Sequence, residues 1–325
     1  MNDDQDLRSL LHDAVSDVHP QHGPDALHGH IGPPSATRWL PLTVAAAAAV
    51  VLVIGGTAWA KHLSDRQPAV AGPSAPTSSA SARAGRDLNV PVYYVGDTAA
   101  GPRLFVEYHE VRDTTDSPLQ AAVNEALTVN PEDPDYENLF QPLGVTATVS
   151  EGRQEIAVDL SRPVDRQGRI DAETARLMVQ ALVWTADSAS NTTDPVNFLV
   201  GGEAAESVLG VGTATRLEQQ SADSVLSTVS IDSPQQGSDL STTFEVRGQA
   251  ATFEANVVWE LVRGTQVVKH GFTTATECCT LSPYSFTVTV PPGDYTLRVH
   301  DVDESDGEGV GTSEDTKDIT VKQGF

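Results

Sequence analysis

The chain has 325 residues, with 20 basic against 45 acidic side chains and a formal net charge of −25. That length accommodates two ordinary domains beside shorter segments. Acidic surfaces repel phosphate backbones and anionic lipid, which argues against a nucleic-acid partner and assigns the charge mainly to solubility.

The excess charge is −4 over residues 1–38, +2 over 61–89, −13 over 90–221 and −10 over 222–325. Residues 1–38 read as a cytoplasmic tail. Leu7, Leu10, Leu11, Val15 and Val18 recur at helical spacing, acids crowd the first turn and Pro20 ends the pattern. So short an amphipathic helix is marginal alone, and its apolar stripe wants a cytoplasmic partner. His12, His19, His22, His28 and His30 lie in this tail without the supporting carboxylate or cysteine geometry a metal site needs.

Residues 39–60 hold no charge between Arg38 and Lys61. As a helix they reach roughly 33 Å, enough to cross a hydrocarbon core of about 30 Å. Trp39 and Trp59 stand where an interfacial aromatic belt belongs. Ala58-Trp59-Ala60 has the small-x-small form of a signal cleavage site. The run is nevertheless longer than a signal core and follows a long acidic tail, so it is expected to be an uncleaved transmembrane helix. Flanking charges leave its direction open. Residues 61–89, rich in Ser, Pro and Ala, read as a linker holding the rest of the chain off the bilayer.

Residues 90–210 carry a compact α+β pattern. Strands are expected over 90–95 and 104–111, with a helix opening at Ser117-Pro118 and running through Thr128. A hairpin follows over 145–150 and 155–160, then a second helix over 171–187 and a strand over 196–200. This region resembles the GerMN domain of bacterial sporulation and germination proteins. The resemblance rests on Val92-Tyr93-Tyr94-Val95, Pro118 to Ala122, Val158-Asp159-Leu160-Ser161, Gln180 to Thr185, and Val196 through Glu203. Asp159 and Ser161 have nucleophile chemistry, but a strand end where both turn onto backbone N–H groups explains them better. His109 would have to be brought to them by the fold.

Residues 211–224 read as a connector, with helix expected around 214–220. Residues 225–325 then show seven short strands at regular spacing: 225–231, 243–248, 256–262, 266–270, 284–290, 294–299 and 318–322. Pro, Gly and acidic turns separate them, the pattern of an immunoglobulin-like sandwich. Trp259 falls where a core tryptophan packs, and Tyr295 where a tyrosine corner sits. This half resembles Gmad2, the immunoglobulin-like domain of bacterial spore germination. The resemblance rests on Ile231-Asp232-Ser233-Pro234, Gly237, Val246-Arg247-Gly248, Phe253-Glu254-Ala255, Val258 to Leu261 and Pro292 to Tyr295.

Cys278 and Cys279, the two cysteines, are adjacent and lack the spacing of metal ligands. A vicinal disulfide, a bond between chains and free thiols all remain open. The acidic run Asp301 to Glu308 departs from a calcium loop, with Asp306 where glycine belongs and Thr312 where glutamate belongs. It reads as a solvated hairpin tip. Asn191-Thr192-Thr193 has the form of a glycosylation sequon.

The expected architecture is therefore multi-domain: one transmembrane helix, an α+β GerMN-like domain, then an all-β immunoglobulin-like sandwich. The immunoglobulin-like module and the stalk place the body outside the membrane, with the N-terminus cytoplasmic. No residue is assigned a catalytic, cofactor-binding or metal-ligating role, and no cofactor is expected. The resemblance implies a non-enzymatic envelope protein, sporulation- or germination-related, whose partners are envelope proteins or cell-wall components. The alternative is a receptor that senses a cation or wall ligand and relays it through the N-terminal helix. The Ala-, Asp- and Val-rich composition suggests an actinobacterium.

Overall fold

The computed structural model of the chain describes residues 86–113, 117–166, 168, 170–302 and 312–324. The N-terminal helix, the apolar run 39–60 and most of the acidic loop 301–308 lie outside these residues. Among the described residues, no helix is long and apolar enough to cross a membrane.

The first domain opens on a long antiparallel hairpin, β1 (Arg86–Thr98) with β2 (Gly101–Asp113). Gly101, at φ 98°, makes the tight turn that L side chains resist. A two-residue strand, β3 (Tyr136–Glu137), adds to the free side of β1. Helix α1 (Pro118–Thr128) starts as expected: Ser117 accepts the Gln120 N–H at 3.2 Å, and Pro118 sits in the first turn. The 145–160 hairpin forms as β4 (Ala147–Glu151) and β5 (Ile156–Leu160). Helix α2 (Ala172–Ser190) carries the chain to β6 (Val196–Val200), which lies parallel to β5. Asp171 caps the start of α2 through the Thr174 N–H at 2.8 Å, and Asn191, at φ 55°, ends it in the left-handed region. One core joins both sheets and both helices, including Val90, Val92, Leu127, Ile156, Met178, Leu182 and Phe198. Each such side chain contributes about 1.5–3 kcal/mol on full burial.

After β6 come the short strands β7 (Glu203–Ala204), β8 (Ser207–Val208) and β9 (Val211–Gly212). Residues 214–220 are not helical. Leu217 instead bridges Val196, and this backbone pairing on β6 overrides local helix propensity. Helix appears later, as the single turn α3 (Ala222–Val225). Val225 is buried in the first domain's core and Leu226 bridges Leu104, so the first strand of the sandwich begins only at Val229.

The second domain is a two-sheet sandwich. One sheet runs β10 (Val229–Ser233), β12 (Thr243–Ala250), β15 (Ser282–Thr289). The other runs β11 (Ser238–Ser241), β17 (Glu314–Lys322), β16 (Gly293–His300), β13 (Asn256–Arg263), β14 (Gln266–Thr274). Each of the seven expected strands overlaps an observed one. The additional strand, β11, pairs in parallel with β17 and has too little apolar alternation to stand out in sequence.

Trp259 is 7% exposed and stacks on Phe286 at 4.9 Å between ring centroids. Gly271 lies under its indole, where an added Cβ would come within 2.5 Å of the ring. Tyr295 makes the expected corner, donating its hydroxyl to the Pro291 carbonyl at 2.8 Å. Cys278 and Cys279 are bonded to each other in an exposed loop after β14.

Candidate functional site

The largest concentration of buried charge lies where the two domains meet. Strand β17 supplies half of it. Alternation along this strand turns Asp315, Lys317, Ile319 and Val321 to the same inward side, so two ionisable groups continue an apolar stripe. The first domain supplies Asp133 from the loop after α1 and Tyr136 from β3.

Lys317 is 1% exposed. Its Nζ lies 2.6 Å from Asp133 Oδ2, 2.5 Å from the Tyr136 hydroxyl and 3.2 Å from Asp315 Oδ1, and 4.3 Å from the Tyr136 ring centroid. Tyr136 in turn donates to Asp315 Oδ1 at 2.7 Å, while Asp315 Oδ2 accepts the Ile231 N–H at 2.6 Å. Burial disfavours the ammonium, yet two carboxylates outweigh it and hold the Lys317 pKa above its ordinary value. Burial likewise pushes Asp133 and Asp315 upward, because one ammonium is shared between two carboxylates. Tyr136 is pushed well above the ordinary range by burial and then by the nearby acids.

A second buried group supports the first. His109 on β2 lies between Glu107 and Glu125, with Nε2 and Nδ1 each 2.9 Å from a carboxylate oxygen. Burial opposes its charge, but the two carboxylates prevail and raise its pKa to about 9. The ring is therefore an imidazolium near neutrality, donating from both nitrogens and keeping no lone pair for general-base work. Glu107 also accepts the N–H groups of Glu132 and Asp133, at 3.0 and 2.8 Å. It thereby fixes the loop that presents Asp133 to Lys317. A continuous polar chain runs from Glu125 in the first domain to Ile231 in the second.

Other contacts cross the same junction. Thr316 donates to Asp135 at 2.7 Å and the Tyr108 N–H to Gln235 at 3.1 Å. A groove of about 410 Å³ opens beside the cluster. Its floor is the stacked pair Phe105 and Tyr136, 4.7 Å apart, over Gly96. Asp97, Asp135, Glu137 and Glu314 line its walls.

Of the residues with suggestive chemistry in the sequence, His109 belongs to this place, while Asp159, Ser161 and Asp301 do not join it. Ser161 accepts the Thr146 N–H at 3.1 Å, the backbone role expected of it. Asp159 sits in β5, its Oδ1 without a hydrogen-bond partner among the described residues. His109 is engaged with its two glutamates. Asp301 accepts the Ser313 N–H at 2.8 Å at the base of the acidic loop. Among the described residues, no group of three or more His, Cys, Asp or Glu side chains could hold a metal ion.

Comparison with known families agrees with this two-domain geometry. Residues 91–206 match the Germane family, described as "Sporulation and spore germination". Residues 228–308 match Gmad2, the "Immunoglobulin-like domain of bacterial spore germination". The chain is of the GerMN–Gmad2 type. A search of curated proteins finds no match. Among solved structures, the GerMN–Gmad2 chain is similar to the first GerMN domain of the sporulation protein GerM from Bacillus subtilis. The identity is 15% and the TM-score 0.31, covering 41% of this chain and 99% of that one. The tandem GerMN domains of the same protein align at 12% identity and TM-score 0.33, covering 73% of this chain and 61% of that one. In the GerMN–Gmad2 chain the junction cluster draws on both parts of the sequence: Asp133 and Tyr136 lie within the first matched region, while Asp315 and Lys317 lie just beyond the second.

Proposed function

We propose that this GerMN–Gmad2 protein is a membrane-anchored envelope protein whose two domains act together as a non-enzymatic binding and scaffolding body. The carrying observation is the junction cluster, where the buried ionisable groups of both domains engage one another. Lys317 and His109 are held charged by carboxylates and serve to join and brace the domains. In this reading residues 39–60 anchor the chain, the linker expected over 61–89 forms a stalk that ends where β1 begins at Arg86, and residues 1–38 face the cytoplasm. The body outside meets envelope proteins or wall components in an actinobacterial, sporulation- or germination-related setting.

The test is in-cell crosslinking of the full chain, followed by identification of the products and by alkaline extraction of membranes. The proposal expects the chain to stay with the membrane and to crosslink to envelope proteins or wall material. Release into the soluble fraction, or crosslinks confined to cytoplasmic proteins, would overturn it.

A further inference from the structure

The five-stranded sheet of the second domain ends on β14. Among the described residues no strand pairs with its outer edge. This strand differs from the rest of an acidic protein: Gln266–Thr274 contains no Asp or Glu, and neither does the neighbouring edge strand β15. It also collects exposed apolar side chains. Val267 and Val268 are each 47% exposed and Phe272 is 76% exposed. Inward-facing Lys269 and Thr273 donate to the Thr289 and Ser285 carbonyls of β15, at 2.7 and 3.0 Å. Those bonds occupy the β15 edge and leave β14 as the open one.

We infer that β14 is the docking edge for a second copy of this chain, pairing antiparallel about a two-fold axis at His270. A body carrying −23 over residues 90–325 meets its own copy with least repulsion along a strand that has no acid. In the register centred on His270, Val268 of one copy faces Phe272 of the other, twice over, on the outer surface of the joined sheet. Lys269 then faces Gly271, so the two ammonium groups are not opposed. Centring on Gly271 would set Phe272 against His270 and forfeit both apolar pairs. The ladder to β13 skips Val268, a bulged and exposed residue just before the regular stretch Lys269–Thr274, so the two Val268–Phe272 pairs close the ends of the five-residue paired segment. Edge-to-edge pairing of this kind satisfies backbone groups that an open edge leaves to water.

Two experiments on the full chain test the inference. First, His270→Cys places the new thiol opposite its own copy, and mild oxidation is expected to give a disulfide-linked dimer. Ser241→Cys, on the opposite edge strand β11, and the wild-type chain are expected to stay monomeric on denaturing gels. Second, Phe272→Lys and Val268→Glu are each expected to weaken self-association roughly tenfold in sedimentation velocity, since each alters two cross-strand pairs. The double variant restores it, because the introduced carboxylate of one copy then meets the introduced ammonium of the other. Both positions are exposed, so circular dichroism of the variants should match wild type. A wild-type chain that shows no self-association overturns the inference. So does a His270→Cys chain that crosslinks no faster than Ser241→Cys, or a double variant no better than its parents.

Discussion

The two ends of the second domain use opposite chemistry. At the junction, β17 buries Asp315 and Lys317 and surrounds them with partners from both domains. At the far edge, β14 exposes two valines and a phenylalanine and carries no acid. Buried charge is costly unless every group is met, so it fixes one geometry and punishes any loss of contact. Exposed apolar surface tolerates substitution and acts only when something covers it. The contrast teaches that the junction is the structural part and the far edge the available part.

That contrast can be broken by substitution. Lys317→Met should have the largest effect, destabilising the folded body by about 3–5 kcal/mol in denaturant unfolding, because it leaves Asp133 and Asp315 buried without their cation. A loss below about 1 kcal/mol would mean the junction does not depend on the buried charge.

His109 gives a pH signature. Its folded pKa of about 9 lies above the ordinary value of about 6.5. The stabilisation is therefore complete below about 6.5 and disappears as pH rises through 9. His109→Gln should flatten unfolding stability measured between pH 6 and 10; an unchanged slope would remove the triad from the account.

Asp187 sharpens the comparison from within the first domain. It is 1% exposed, and neither carboxylate oxygen has a hydrogen-bond partner among the described residues. Burial, then the charge of Asp194, raises its pKa from 3.8 to about 7. Its contribution is present below about pH 4 and is lost as pH rises through 7. Asp187→Asn, which cannot ionise, should remove that decline and gain relative to wild type at pH 8. The smallest effect belongs to the far edge, where Phe272→Ser should change monomer stability by no more than about 0.5 kcal/mol.

Much of this architecture was legible in the sequence. Ser117-Pro118 announced a helix start through local chemistry, and alternation placed most of the sandwich strands. Trp259 and Tyr295 were readable because aromatic anchors recur at fixed places in such sandwiches. The 214–220 segment misled because the Leu217 pairing with Val196 is long-range. Strand β11 was hidden because Ser-Asp-Leu-Ser lacks an apolar face, and its stability comes from β17.

The junction was half visible. Period two along β17 puts Asp315 and Lys317 on the side of Ile319 and Val321, a signal that both are buried. Their partner Asp133 lies 184 residues from Lys317, and no local pattern links them. His109 was noticed as a lone histidine, while Glu107, two residues away on the same face, was the overlooked clue.

The central claim is that the buried cluster makes one unit of the two domains. Scanning calorimetry of the full chain beside its Lys317→Met variant tests it most directly. A single cooperative transition is expected for the wild-type body and two separated transitions for the variant. Two transitions in the wild type, or one unshifted transition in both, would contradict it.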